Sequence, residues 1–301
     1  MLHAWLDGRF VPMDEARISA FDAGFQHGMG LFETMAGRHG RIFRGLEHME
    51  RLRRSAAELG LADSLRPEAL VDACESTMRH NGLMHARVRL TLTGGDMNLL
   101  ARRAEDVRHD PTVLVHVQPP TPYPPALFEQ GVGVRIADGQ LNVADPFAGH
   151  KTLWYWPRLA ALQRAAQAGT QEALWFDVTR ALACGCVSNV FVVKGGIVAT
   201  PPARGEEPKG QAVRSPVLPG VTRAAVISLA EESGMKVDVR RLEVDDVLGA
   251  DEVFLTNSSW HVLPVVRVEQ RTIGAGAPGE STRTLRAALL ERIDRETVQV
   301  P

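Results

Sequence analysis

The chain has few of the features that would assign a function outright. Cysteine is scarce. Cys74, Cys184 and Cys186 are three in 301 residues, an odd number that builds no disulfide framework and suits a reducing compartment. No apolar run reaches the roughly 20 residues that span a bilayer, and Met1-Leu-His-Ala-Trp-Leu-Asp-Gly8 lacks the charged-then-apolar pattern of a signal peptide. The expectation is a cytoplasmic protein with no membrane partner. A net charge of −2 supplies no bulk field for nucleic acid, so none is expected as a partner. There is no GxGxxG or Walker loop for a nucleotide, no HExxH among the ten histidines, and no GxSxG elbow around a serine. Cys184-Gly-Cys186 is too tight for a zinc knuckle and has no second Cys or His pair, so no metal site is expected. Internal repeats are absent as well.

What remains is a chain that is 45% hydrophobic and 23% charged, long enough for two domains with sizeable cores. Residues 2–12 read as a hairpin turning at Asp7-Gly8, and residues 17–22 as a strand entering the glycine-rich Gly24-Phe-Gln-His-Gly-Met-Gly30. Residues 31–36 and 41–43 flank a turn at His39-Gly40. Residues 46–59 form a helix with Leu46, Met49, Leu52, Ala56 and Leu59 on one face, closed by Gly60. Pro67 opens a second helix that stops before Asn81-Gly82. Residues 86–93 alternate as a half-buried strand, and 112–118 form another.

Five prolines in residues 119–125 exclude helix and central strand, so this stretch reads as an extended, stiff linker. The expected organisation is an N-terminal α/β domain over 1–118, a linker over 119–126 and a C-terminal domain over 127–301. In the latter, strands are expected at 132–137, 172–177, 189–194, 236–240 and 252–256. Helices are expected at 155–168 (Leu159, Leu162 and Ala166 on one face), from about 222 to Gly234, and at 281–295. Residues 203–217 read as a long flexible loop. Strands and helices mix without a regular βαβ period, so the fold class is α/β in the α+β sense.

Lys151 is the first candidate for chemistry. A lysine is more commonly a solvated surface charge. Phe147 and Leu153-Trp-Tyr-Trp156 border this one, however, and a lysine desolvated by such neighbours becomes a nucleophile toward a carbonyl. Leu218-Pro-Gly-Val-Thr-Arg223 places a glycine before a helix, where free N–H groups suit a phosphate or simply start the helix. Thr256-Asn-Ser-Ser259 offers hydroxyls for the same purpose or an ordinary turn. Arg51 is either a phosphate clamp or part of a solvated basic face.

Together these segments resemble the class IV aminotransferases, or fold type IV pyridoxal-phosphate (PLP) enzymes, which include branched-chain and D-amino-acid aminotransferases and aminodeoxychorismate lyase. The resemblance runs in order along nearly the whole chain. Its motifs are Phe21-Asp-Ala-Gly-Phe-Gln-His-Gly-Met-Gly-Leu-Phe-Glu33, His48 with Arg51-Leu52, His150-Lys151, Ser188-Asn189-Val-Phe191, Thr200-Pro-Pro202, Leu218 to Arg223, and Asn257-Ser-Ser259 through Pro264-Val265. It implies a smaller N-terminal α/β domain and a larger, barrel-like C-terminal domain with the cofactor buried between them, in a homodimer. It also implies that Lys151 forms the Schiff base with the cofactor and shuttles the substrate proton. Arg51, Val221, Thr222 and Ser258 would hold the phosphate, with Asn189, Gly220 and Ser259 in the same cofactor site. Phe32, Arg87, Arg89 and Tyr155 are the substrate-side candidates.

Two departures stand out. Counted back from Ser188-Asn189 without a gap, the family's Glu-Gly falls on Cys184-Gly185, so a thiol replaces the glutamate that pairs with the pyridine nitrogen. A carboxylate there keeps the nitrogen protonated, whereas a thiol is a weak donor. Reactions that depend less on a charged ring, such as β-elimination or a simple lyase step, gain ground. In Thr91-Leu-Thr-Gly-Gly95, Gly94 takes the place of the family's arginine in Thr-Arg-Gly. The first expectation is transamination between a small amino acid and a 2-oxo acid. The alternatives are a lyase of the aminodeoxychorismate type that releases pyruvate, and a PLP-binding member without turnover. The 203–217 loop is a candidate lid.

Overall fold

Alternation along Ala86–Thr93 organises the first half of the chain. Ala86, Val88, Leu90 and Leu92 are buried, while Arg87, Arg89 and Thr91 lie on the other face. The computed structural model describes residues 1–96, 111–207 and 213–298. These fall into two compact units, the first comprising 1–121, 150–154 and 293–301. It opens with the hairpin of β1 (His3–Leu6) and β2 (Arg9–Pro12). Residues 17–22 form no strand, contrary to the alternation. Asp22 instead caps α1 (Ala23–His27), accepting from the N–H groups of Gly24 and Phe25 at 2.7 and 3.3 Å, and it also accepts from the Thr93 hydroxyl at 2.6 Å. Asp22 joins Asp96 in a single isolated antiparallel bridge, and the chain then turns into α1 before a ladder can extend.

Next come β3 (Gly30–Arg38), β4 (Arg41–Ile42), α2 (Gly45–Glu58), α3 (Pro67–His80), β5 (Ala86–Thr93) and β6 (Val113–Gln118). Among the described residues the strands form one antiparallel sheet in the order β2-β1-β6-β5-β3-β4. Helices α2 and α3 cover its apolar face through Met49, Leu52, Ala56, Leu70, Cys74 and Met78. Leu46, assigned to the buried stripe of α2, is exposed. His48 and Arg51 are buried in that helix instead, because a buried carboxylate on β3 awaits them.

The second unit comprises 122–149 and 155–292. It contains α4 (Ala126–Glu129), β7 (Val132–Leu141), α5 (Trp156–Gln167), β8 (Glu172–Asp177), β9 (Leu182–Gly185), β10 (Asn189–Lys194), β11 (Ile197–Thr200), α6 (Val221–Glu232), β12 (Lys236–Val239), α7 (Val244–Leu248), β13 (Glu252–Asn257), β14 (His261–Val268), β15 (Arg271–Thr272) and the start of α8 (Glu280–Thr297). The strands form a mixed sheet in the order β12-β11-β10-β13-β14-β7-β8-β9, with β15 on β14. Every residue of β8 is buried, as expected of a strand covered on both faces. Leu174 and Phe176 enter one core with β10 and β13, while Ala173 and Trp175 enter another with α5 and β9. The buried face of α5 is Ala161 and Ala165, with Leu159 exposed: small side chains let the helix approach the strand, whereas leucine at that contact would hold it off.

The described residues of the 203–217 stretch are pinned, not slack. Buried Arg223 donates to both carboxylate oxygens of Glu206 at 2.8 Å and to the Pro201 carbonyl, and the Ser215 hydroxyl donates to the Pro202 carbonyl at 2.7 Å. Residues 208–212, the remainder of the candidate lid, lie outside the described residues.

Candidate active site

In the first unit the lysine segment docks on the start of β3. The Phe32 N–H donates to the Lys151 carbonyl and the Leu153 N–H to the Gly30 carbonyl, each at 2.9 Å. Only glycine at position 30 permits this fit, since a Cβ there would lie 2.5 Å from the Leu92 carbonyl oxygen and 2.6 Å from a Leu153 methyl. On the other side His150 is held against α2, its Nδ1 2.9 Å from Ser55 Oγ and its Nε2 3.4 Å from a Glu58 carboxylate oxygen. The lysine is therefore fixed through its backbone and its neighbour. Its Nζ stands 4.1 Å from the centroid of the Phe32 ring, which also carries the Arg89 guanidinium at 3.9 Å. Of the flanking aromatics, Phe147, Trp154 and Trp156 are exposed, while Tyr155 is half-buried; Phe32 on the sheet adds an aromatic face that the flank does not supply.

Strand alternation places Arg87, Arg89 and Thr91 on one face. His116 on β6 is directly opposite Arg89 in the ladder. Burial lowers the His116 pKa, and the Arg89 and Arg87 charges lower it further, so this face keeps a neutral histidine between two fixed cations.

The opposite face of β3 carries Glu33, which is 1% exposed. Arg51 donates to it from Nε at 2.9 Å and Nη2 at 2.6 Å, and His48 Nδ1 is 2.8 Å from the same carboxylate. Burial alone would raise the Glu33 pKa, but Arg51 and His48 overcome it and hold the carboxyl at about 2. Burial dominates for His48 and lowers its pKa, which makes Nδ1–H the donor of a neutral ring. Arg51, expected as a phosphate clamp, is thus an oriented, buried guanidinium whose fork is set by Glu33.

In the second unit α6 begins without a side-chain cap at Gly220. The N–H groups of Val221 and Thr222 lie in its first turn, where a helix favours anions. A Cβ at Gly220 would fall 2.0 Å from Asn189 Oδ1. Asn189 packs this close because its Nδ2 donates to the Leu218 carbonyl at 2.9 Å. The Thr222 and Ser258 hydroxyls are 3.5 Å apart, and Asn257 Oδ1 accepts from the Ser259 and Trp260 N–H groups to shape the turn that presents Ser258. Tyr123, from the proline-rich stretch, donates to the Ser259 hydroxyl at 2.9 Å. An uncapped helix start with two converging hydroxyls is a donor set suited to a phosphate. Asn189 packs against Gly220 at the helix start, and Ser259 follows Ser258 in the same turn.

Cys184 lies on β9 opposite Trp175. The turn after it is built on Glu172, a residue that composition did not single out. Glu172 is fully buried and accepts from the N–H groups of Ala173, Cys186 and Val187 and from the Ser188 hydroxyl. Burial raises its pKa against those donors. Four partners saturate this carboxylate, so it shapes the Cys184–Ser188 turn and has no capacity left for a ligand. Arg158, also unforeseen, donates from Nη1 to Cys184 Sγ at 3.2 Å and to the Gly185 carbonyl at 3.0 Å. Its guanidinium is 5.7 Å from the Tyr155 ring. Burial pushes the Tyr155 hydroxyl up to about 12, partly offset by Arg158, so Tyr155 acts as a neutral donor at ordinary pH.

Comparison with known proteins places the chain in a family. Residues 30–268 match the family model described as amino-transferase class IV. A Methanocaldococcus jannaschii protein, provisionally named a branched-chain-amino-acid aminotransferase, is 33% identical over 285 residues, covering 94% of this chain and 93% of that protein. The D-alanine aminotransferase of Bacillus licheniformis is 28% identical over 97% of this chain and 98% of its own length. Among solved structures, the Escherichia coli branched-chain amino acid aminotransferase superposes with a TM-score of 0.88 at 26% identity, covering 99% of this chain and 96% of that one. The 4-amino-4-deoxychorismate lyase of Pseudomonas aeruginosa does so at 0.80 and 30%, covering 97% and 99%. The chain belongs to the class IV aminotransferase family of PLP-dependent enzymes and has their two-domain fold type IV architecture.

Proposed function

We propose that the chain transfers an amino group between a small amino acid and a 2-oxo acid, with Lys151 as the residue that anchors PLP and carries the substrate Cα proton. The observation behind this is the docking of residues 150–154 on β3, which holds the Lys151 amine in place over Phe32. PLP, when bound, supplies the electron sink for charge that develops at Cα. The backbone of Val221 and Thr222, the Ser258 hydroxyl and the Arg51 guanidinium, which Glu33 orients from its Nε/Nη2 side, would hold its phosphate. Asn189, Gly220 and Ser259 shape that cradle, while Phe32, Arg87, Arg89 and Tyr155 serve the substrate. The Phe32 ring keeps water off one side of the amine, and Arg89 beside it supplies a fixed positive charge for a substrate carboxylate.

The protein works in the cytoplasm as a homodimer. Three buried free cysteines suit a reducing compartment, and exposed Phe21, Phe25 and Trp154 give the first unit an apolar surface for a second copy. No helix of the described residues is long and apolar enough to cross a membrane. The visible absorption of PLP-loaded protein tests the reading. Wild type should show a band that Lys151→Ala removes, and an amino donor should convert it to the pyridoxamine form. A wild-type band that Lys151→Ala leaves intact would refute the assignment. A lyase reading is favoured by one feature, the Cys184 thiol in place of a carboxylate. It predicts pyruvate released without an oxo-acid acceptor.

A further inference from the structure

A carboxylate is missing at position 184, and an arginine stands beside the gap. Arg158 comes from the first turn of α5 and reaches β9, where Nη1 bridges Cys184 Sγ and the Gly185 carbonyl. Its Nε and Nη2 have no protein partner among the described residues, and they are not among the fully buried atoms that lack one. Arg158 is thus a half-buried guanidinium, positioned by two hydrogen bonds, with accessible donors still unengaged. Guanidinium groups donate only and do not lose their proton in the working pH range. Among the described residues no carboxylate forms an ion pair with Arg158, and Glu172 spends its acceptors on the Cys184–Ser188 turn.

We propose that Arg158, positioned on Cys184, is the residue that faces the cofactor's ring nitrogen in this protein, donating an N–H to its lone pair and leaving that nitrogen unprotonated. This rests on the reading of the chain as a PLP enzyme whose Cys184 occupies the place of the ring-nitrogen glutamate. A carboxylate there favours a pyridinium because opposite charges attract, whereas a fixed cation opposes a second positive charge a few ångströms away. The protein therefore works with a weaker electron sink. Proton removal at Cα then depends more heavily on Lys151 and on charges near the substrate. The same device slows unwanted reactions at Cα, because carbanions that are less stabilised form less readily.

The pair also makes a non-additive prediction. Introducing a carboxylate alone, by Cys184→Glu, places it within reach of the guanidinium. The two then form an ion pair, so the ring nitrogen gains little. Removing the cation as well frees that carboxylate to hold a pyridinium.

The test is the ring-nitrogen chemical shift of protein loaded with ¹⁵N-labelled PLP, followed against pH for wild type, Arg158→Gln, Arg158→Lys, Cys184→Glu and the double variant Arg158→Gln/Cys184→Glu. Wild type and Arg158→Lys should report an unprotonated nitrogen at neutral pH. Arg158→Gln should raise the protonation midpoint by about 1–3 pH units. The double variant should be a pyridinium, while Cys184→Glu alone should lie nearer to wild type. A pyridinium in wild type overturns the proposal, and so does a midpoint that Arg158→Gln leaves unmoved. Wild-type protein that takes up no PLP at all overturns both this and the functional reading on which it rests. If Arg158→Gln fails to fold, the wild-type shift and the Arg158→Lys midpoint still decide the matter.

Discussion

The two units each place an arginine beside a potential anion, with opposite outcomes. In the first, Glu33 is fully buried, and Arg51 and His48 together satisfy it. In the second, Arg158 meets a thiol and a carbonyl, and its remaining donors stay accessible. A closed charge pair supports the fold and fixes the direction of a guanidinium fork. An incompletely matched arginine contributes less to the fold and is left to act on something else.

The largest effect should come from opening the closed pair. Glu33→Ala strands the buried Arg51 cation and should lower stability by about 3–5 kcal/mol in urea denaturation. Arg158→Gln removes two hydrogen bonds to neutral acceptors in a half-buried position and should lower it by less, about 1–2 kcal/mol. Equal losses would erase the contrast between the two sites.

Acid should separate them next. The folded Glu33 carboxyl titrates at about 2 instead of 4.5. A depressed carboxylate contributes stability above its unfolded value and loses it as pH falls toward the folded value. On the order of 3 kcal/mol should therefore disappear between pH 4.5 and 2. His48, lowered as well, adds a loss that begins as pH falls through the ordinary histidine range, since the unfolded ring then gains a proton that the folded one refuses. Glu33→Gln should flatten the acid limb of a stability–pH curve, and Arg158→Gln should leave it unchanged.

The two tight glycines sharpen the comparison further. Gly30→Ala pushes a methyl against the Leu92 carbonyl and should destabilise by about 1–3 kcal/mol while displacing the 150–154 segment. Gly220→Ala presses on Asn189, whose side chain is held by Leu218, and should weaken PLP binding by about tenfold in a fluorescence titration, or ~1.4 kcal/mol. The smallest change should be Tyr123→Phe, which removes the hydrogen bond to Ser259 and should cost about 0.5–1.5 kcal/mol of stability with a slight loss of PLP affinity.

Local pattern explains which features were legible. The alternation of 86–93 and the apolar spacing of 67–80 survive into the structure, because each element buries one face against a neighbour. Residues 17–22 broke the rule when Asp22 found a helix to cap, and the described ends of the 203–217 loop are ordered by Arg223 on α6, a contact that composition does not reveal. Strands β9 and β14 carry no strand signal that the sequence reading used, and the saturation of Glu172 has none either. Arg158 was missed because its partner lies 26 residues away on a strand, while its local surroundings read as an ordinary helix start.

The sequence by itself determined the order of the motifs, the lysine before a helix, the glycine at a helix start and the cysteine at position 184, four residues before Ser188-Asn189. Those are matters of residue identity and short spacing, which survive any arrangement of the rest. Only the tertiary structure decided that Arg51 is oriented by Glu33, that Lys151 meets Phe32 on β3, and that Arg158 stands beside Cys184. Each is a contact between distant segments, made when burial forces polar groups to find partners that spacing along the chain does not encode.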